Sequence, residues 1–106
     1  MSSLARILKR EVRKSDLVAR FGGEEFVVLL PETSLKKAGE LADRICKNVE
    51  SENIVVDEDV VIQLTVSIGV SSYPYHGKNW SEILGKADAS MYEAKNSGRN
   101  KVVLAE

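Results

Sequence analysis

A pair of adjacent glycines between two β-prone runs places the strongest local constraint on this chain. Gly22 and Gly23 separate residues 17–21 from residues 26–30, and the second run, Phe-Val-Val-Leu-Leu, is apolar at every position. A type I′ turn needs positive φ at both central positions, and glycine adopts it without strain. The pattern therefore predicts a β-hairpin whose second strand is buried on both faces.

Helical and strand patterns alternate along the rest of the chain. Apolar residues at intervals of three and four predict helices over residues 3–14, over 35–50, and from Trp80 or Ser81 to Gly98. Thr33 or Ser34 can cap the second of these helices.

The remaining strand patterns complete the predicted fold. Residues 64–71 alternate between apolar and small polar side chains, and residues 101–104 are typical of a final strand. The acidic residues 51–59 indicate a loop or a short edge ribbon. The predicted order is αββαβαβ, an α+β fold with an antiparallel-rich sheet and helices on one side.

Composition limits the chain to one small domain and excludes several function classes. It has 106 residues, 43% of them hydrophobic and 29% charged, which favours a packed core over disorder. A net charge of −1 argues against binding to a nucleic-acid polymer or an anionic membrane. One cysteine and one histidine allow neither a disulfide nor a His/Cys metal cage, and no apolar run approaches ~20 residues. We expect a cytoplasmic chain without a membrane segment.

Two adjacent carboxylates, Glu24 and Glu25, stand at the mouth of the apolar strand. Like charges repel, and a divalent cation would offset the repulsion, since Mg²⁺ binds through one or two carboxylates and substrate phosphates. Charged residues also protect hairpins against aggregation. From the residues alone, this structural interpretation is favoured over metal binding.

Two further charged pairs have a functional and a structural interpretation. Lys95 and Arg99 are four residues apart at a predicted helix end, where they can converge on an anion or only favour the helix dipole. Arg13 and Asp16 precede the hairpin and can form a local salt bridge. On local grounds the structural interpretation is favoured for both pairs.

Three other residues are expected to have structural roles. Cys46 lies on the apolar stripe of its helix, which predicts a core position. His76 is expected in a surface loop, and Trp80 is expected to anchor the packing of the last helix.

Together these segments resemble the GGDEF family of diguanylate cyclases over nearly the whole chain. The signature is present as Gly22-Gly23-Glu24-Glu25-Phe26, a GGEEF variant. Four other segments also resemble family segments, in the family's order: residues 16–21 before the signature, 65–70, 87–95 and Gly98-Arg99-Asn100. The resemblance implies a nucleotide-cyclase-like fold, a ferredoxin-like palm.

The resemblance also implies an activity, a cofactor and partners. The family condenses two GTP into cyclic di-GMP and two pyrophosphates, as a homodimer in which each protomer holds one GTP, with Mg²⁺ or Mn²⁺ as cofactor. An upstream sensory domain usually regulates the intact protein in bacterial signalling.

Roles for individual residues follow from the match to the family motifs. Glu24 would be a metal ligand and a candidate proton acceptor for the ribose 3′-hydroxyl, and Glu25 would support the second metal ion. Gly22 and Gly23 would let the nucleotide pass close to the backbone.

The remaining charged positions also match family sites. Lys95 and Arg99 would contact the terminal phosphates of GTP. Arg13 and Asp16 are similar to the family's RxxD inhibitory site, where the product cyclic di-GMP binds.

The chain departs from the family pattern in one respect. The family's domain normally opens with a further helix, a strand and a helix bearing a stretch of the form DxDxFKxxND, which supplies a metal-binding Asp and the residues that read guanine. Residues 1–106 contain no such stretch and are therefore interpreted as a partial GGDEF domain.

Three hypotheses follow from this interpretation. The chain is part of a diguanylate cyclase whose activity belongs to the intact domain, with these 106 residues alone inactive. Alternatively it is a regulatory module that binds cyclic di-GMP through Arg13 and Asp16. In the third it is a structural or dimerising remnant that closes its sheet by strand exchange with a second copy.

Overall fold

The computed structural model describes residues 3–21 and 25–106. Within them the chain forms three helices and six strands. In chain order they are α1 (Ser3–Glu11), β1 (Leu17–Phe21), β2 (Glu25–Leu29), α2 (Leu35–Ser51), β3 (Ile54–Asp57), β4 (Val60–Ile62), β5 (Ser67–Val70), α3 (Trp80–Asn96) and β6 (Lys101–Leu104). Two compact units divide at residue 33: Met1–Thr33 and Ser34–Glu106.

The first unit contains α1 and the predicted hairpin. Strands β1 and β2 pair antiparallel, with Leu17 opposite Leu29 and Phe21 opposite Glu25. Gly22, Gly23 and Glu24, including the predicted type I′ turn, lie outside the described residues. The prediction that the second strand is buried on both faces was wrong, since no residue of β2 is fully buried. In this unit β1 and β2 form a two-stranded ribbon, with α1 against β1, which cannot cover both faces.

Helix α1 ends three residues earlier than the pattern predicts, because a turn replaces its last predicted part. The Asp16 amide donates to the Arg13 carbonyl at 3.0 Å, and the Arg13 amide donates to Asp16 Oδ2 at 2.8 Å. Aspartate competes in this way with helical hydrogen bonding. The turn connects α1 directly to β1.

The second unit begins with α2, whose N-cap is Ser34, one of the two predicted caps. Ser34 Oγ accepts a hydrogen bond from the Lys37 amide at 3.2 Å. The predicted apolar stripe is confirmed as the core of this unit, since Ala42, Ile45, Cys46 and Val49 are all buried.

An antiparallel hairpin, β3–β4, follows α2 and extends beyond the predicted edge ribbon. Ile54 pairs with Ile62 and is buried, whereas Val55, Val61 and three other apolar residues of the hairpin are exposed. The predicted order therefore lacked two strands. The acidic residues around the β-branched run masked its strand propensity.

Strands β5 and β6 are parallel and connected through α3. The strand predicted over residues 64–71 is shortened to β5, because its partner β6 offers only four residues for pairing. A Cβ atom placed on Gly69 would lie 2.0 Å from the Ala87 carbonyl oxygen and 2.4 Å from the Met91 amide nitrogen. The backbones of β5 and α3 therefore approach each other at a distance that only glycine permits.

Two residues of the loop before α3 differ from expectation. His76 is buried, not exposed, because its ring folds back on the loop and Nδ1 accepts a hydrogen bond from the Ser72 amide at 2.9 Å. Trp80 is 47% exposed and does not anchor the packing, since it occupies the first position of α3, directly after the Asn79 N-cap.

No helix in the described part of the chain has the length and apolar character needed to cross a membrane.

Candidate functional site

The signature hairpin places one of its two predicted metal ligands at a defined position. Glu25 opens β2 opposite Phe21, and its side chain is exposed. Glu24 lies outside the described residues. Within residues 3–21 and 25–106, no three His, Cys, Asp or Glu side chains are grouped closely enough to hold a metal ion.

The donor chemistry of the signature nevertheless fits a hard cation. Carboxylate oxygens are the ligands that Mg²⁺ takes from proteins, and Mg²⁺ completes its octahedron with water and substrate phosphates. The exposed position of Glu25 leaves its oxygens accessible to such an ion. By the match to the family motif, Glu24 would bind such an ion, and Glu25 would support a second one.

The end of α3 forms the second predicted part of the site. Gly98 has φ 122°, and the Arg99 amide donates to the Ala94 carbonyl at 2.9 Å. This six-to-one hydrogen bond is that of a Schellman motif, which confirms the predicted helix end at Gly98. The motif turns the chain so that Arg99 follows directly after the last turn of α3.

Lys95 and Arg99 are available to an anion. Lys95 is half-buried in the last turn of α3, and Arg99 is exposed just beyond it. Among the described residues, neither side chain forms an ion pair or a hydrogen bond. Lys95 also lies at the helix end where the dipole favours a cation. The geometry is therefore compatible with the structural interpretation of Lys95 as well as with anion binding.

Arg13 and Asp16 form the predicted local salt bridge. Arg13 Nη2 lies 3.5 Å from Asp16 Oδ1, and the same nitrogen donates to Thr33 Oγ1 at 3.1 Å and to the Pro31 carbonyl at 3.4 Å. The Asp16 side chain is 2% exposed, whereas that of Arg13 is 65% exposed. Asp16 thus acts as a structural anchor that holds an exposed guanidinium in place.

The predicted residues fall into two groups. Glu25, Arg13 and Asp16 belong to the first compact unit, and Lys95 and Arg99 belong to the second. Each group is assembled locally, by a hairpin and turn in one unit and by a helix end in the other.

One set of contacts beside Arg99 could not be found from the sequence. The Asn100 side-chain amide donates to Glu50 Oε2, and the Cys46 thiol lies 3.5 Å from Asn100 Oδ1. These residues are about fifty positions apart in the chain, and no local pattern signals that α2 and the turn after α3 meet.

Known proteins match the chain over most of its length. A family model described as "Diguanylate cyclase, GGDEF domain" matches residues 1–101. Diguanylate cyclase A of Treponema denticola is 42% identical over all 106 residues, which correspond to 28% of that protein. The chain thus spans little more than a quarter of this relative's length.

Solved structures match the fold as well. The GGDEF domain of YfiN (TpbB) from Pseudomonas aeruginosa superposes with a TM-score of 0.88 at 36% identity, over 97% of this chain and 64% of that one. The GGDEF domain of DgcB from Caulobacter crescentus, solved in complex with c-di-GMP, gives a TM-score of 0.83 at 27% identity, over 95% of this chain and 60% of that one. These matches confirm the nucleotide-cyclase-like α+β fold, and the chain belongs to the GGDEF domain family of diguanylate cyclases.

Proposed function

We propose that this chain forms part of a diguanylate cyclase domain that condenses two GTP into cyclic di-GMP and two pyrophosphates. The observation that carries the proposal is the GGEEF signature, which begins directly after β1 and continues into its partner strand β2, in a chain whose family model spans residues 1–101. The cations of Lys95 and Arg99 at the end of α3, which pair with no carboxylate in the described part of the chain, support it.

The carboxylates of the signature have the chemistry that this reaction needs. The 3′-oxygen of one GTP attacks the α-phosphorus of the other, and the bond to the pyrophosphate leaving group breaks. A bound Mg²⁺ or Mn²⁺ lowers the pKa of the hydroxyl and neutralises charge on the phosphates. Glu24 would bind this cation and accept the hydroxyl proton, and Glu25 would support the second metal ion.

Lys95 and Arg99 would bind the phosphates that leave as pyrophosphate. An arginine fork pairs with two phosphate oxygens, and a lysine adds a compact positive charge. The Schellman turn supports this role, because it places Arg99 one turn beyond Lys95 without a competing carboxylate among the described residues. Gly22 and Gly23 would leave room for the nucleotide beside the hairpin.

Steady-state kinetics of the intact protein test the phosphate-binding role. Lys95→Ala and Arg99→Ala should each raise the KM for GTP about tenfold or more, because each removes a charge-assisted hydrogen bond of about 1.5–3 kcal/mol. Lys86→Ala, which removes an exposed lysine of the same helix, is the matched control and should leave KM unchanged. Unchanged KM in both site variants would remove the phosphate-binding assignment.

The 106 residues alone are proposed to be inactive. They do not include the DxDxFKxxND stretch that the family uses for a further metal ligand and for guanine recognition. The purified chain should form no cyclic di-GMP from Mg·GTP. Turnover by this chain would show that the stretch is dispensable.

Binding of cyclic di-GMP through Arg13 is a second candidate function. The observation that favours it is the 65% exposed Arg13 side chain, held by Asp16, Thr33 and Pro31. A planar guanidinium presented in this way suits a phosphate or a guanine edge. Calorimetry should show binding of cyclic di-GMP that Arg13→Ala abolishes and that Lys14→Ala, its exposed neighbour, retains. Equal affinity in the two variants would exclude this site.

A homodimer with one GTP per protomer is part of the proposal. The reaction joins two identical nucleotides, so two copies of one site facing each other provide both. Light scattering of the intact protein with a non-hydrolysable GTP analogue should give twice the protomer mass. A monomer that retains activity at high dilution would contradict it.

A further inference from the structure

The turn that carries Arg99 has an unusual backbone. Arg99 and Asn100 have φ values of 60° and 50°, and Gly98 before them has φ 122°. Non-glycine residues in the left-handed region are uncommon, because the Cβ atom makes this backbone conformation unfavourable. Two in succession persist only where surrounding contacts hold them.

The Asn100 side chain supplies such contacts, all of them in the second unit. Its amide group donates to Glu50 Oε2, and its Oδ1 lies 3.5 Å from the Cys46 thiol. The Glu50 carboxylate can only accept a hydrogen bond, so it faces the NH₂ group of Asn100. The Cys46 thiol can donate, so it faces Asn100 Oδ1. Together the two contacts fix the orientation of the amide. Both partners lie on α2, one helical turn apart, and their side chains therefore point to the same side.

Cys46 is itself held in place. It is buried on the core stripe of α2, and its thiol also lies 3.6 Å from the Val66 carbonyl, just before β5. Helix α2 therefore offers Asn100 a rigid partner in the core and a charged partner nearer the surface, since Glu50 is exposed.

Other contacts fasten the two ends of the turn. The Arg99 amide is tied to the Ala94 carbonyl, and Lys101 Nζ donates to the Ser97 carbonyl. Neither contact acts on the residue that follows Arg99. Strand β6, which pairs with β5 from Lys101 onward, holds the chain after the turn. Between these two ends, the side chain of Asn100 ties the turn to α2.

We propose that Glu50 and Cys46 are positioning residues, which hold Asn100 so that the Arg99 guanidinium is presented to the terminal phosphates of GTP. This inference rests on the proposed function. It assigns a role to two residues of α2 that have no place in the signature or in the closing motif.

Kinetics of the intact protein with GTP test the proposal. Glu50→Ala should raise KM about fivefold, the value of one lost hydrogen bond, whereas Glu50→Gln retains an acceptor oxygen and should restore most of the affinity. Cys46→Ala should raise KM in the same direction, and Cys46→Ser should rescue it. Asp43→Ala removes an exposed carboxylate of α2 without a contact to Asn100 and should leave KM unchanged.

Asn100→Gly separates positioning from stability. Glycine removes the cost of the left-handed backbone and also the side chain that α2 holds, so the midpoint of urea unfolding should be retained while KM rises about fivefold. In the Asn100→Gly background, Glu50→Ala should have no additional effect on KM.

The outcomes distinguish this inference from the proposed function. If Arg99→Ala raises KM but Glu50→Ala and Asn100→Gly do not, the positioning role is overturned and the cyclase assignment stands. If Glu50→Ala raises KM and Glu50→Gln does so equally, the hydrogen bond to Asn100 is not what acts, and the inference fails. If Arg99→Ala has no effect, the phosphate-binding assignment fails, and this inference fails with it.

Discussion

Cys46 shows how one side chain responds to the packing around it. Burial raises the pKa of its thiol above the ordinary value of 9.0, and the carboxylates of Glu50 and Asp43 raise that pKa further. The thiol therefore stays protonated at neutral pH in the folded chain, and its single proton can be donated to Asn100 Oδ1 or to the Val66 carbonyl. The prediction of a core cysteine is confirmed.

This raised pKa predicts a dependence of stability on pH. The folded chain keeps the thiol proton at pH values where the unfolded chain has lost it, so the free energy of unfolding falls as pH rises above about 9. Urea unfolding between about pH 7 and pH 10 should show a smaller loss of stability in Cys46→Ala than in the wild type. Equal losses of stability in the two proteins would show that ionisation of the Cys46 thiol does not contribute to the pH dependence of unfolding.

Local patterns were sufficient for most of the elements. The stripe of α2, the hairpin β1–β2 and the glycine that ends α3 depend on neighbours within a few residues, and all three are found. The pairing of β3 with β4 and the burial of His76 depend on contacts that a local pattern does not contain. For the same reason, Arg13 with Asp16 and Lys95 with Arg99 could be recognised as pairs, whereas the contact between Asn100 and Glu50 could not.

The close approach of β5 and α3 is the tightest constraint at the level of elements. Gly69→Ala would force apart two backbones, because its Cβ would meet the Ala87 carbonyl and the Met91 amide. We expect a loss of about 1–3 kcal/mol or more in the free energy of unfolding, the cost of overpacking a core. Thermal unfolding monitored by circular dichroism measures it. A Gly69→Ala variant as stable as the wild type would contradict the close approach of the β5 and α3 backbones.

Gly85 provides the matched control for that prediction. It lies on α3, the helix against which Gly69 packs, and a Cβ placed on it would meet nothing within 4 Å. Gly85→Ala should therefore stabilise the chain by about 0.5–1 kcal/mol, since alanine is the better helix former. The two glycine variants should change the melting temperature in opposite directions.

The whole molecule consists of two compact units that each hold part of the candidate machinery. The Arg13 turn and the strands that flank the signature belong to the first unit. The turn that carries Arg99, for which we propose phosphate binding, belongs to the second with its contacts to α2. The chain corresponds to 64% of the solved YfiN GGDEF domain chain and to 28% of the Treponema cyclase. Activity, substrate and partners are therefore proposed for the intact protein.

Formation of cyclic di-GMP from Mg·GTP by the intact protein tests the central claim most directly, with Glu24 as the position to vary. Glu24→Asp keeps a carboxylate and changes GGEEF into GGDEF, so it should retain turnover. Glu24→Ala should lower kcat by about a hundredfold or more, because it removes the proposed metal ligand and proton acceptor. Wild-type protein that forms no cyclic di-GMP, or Glu24→Ala protein as active as the wild type, would contradict the account.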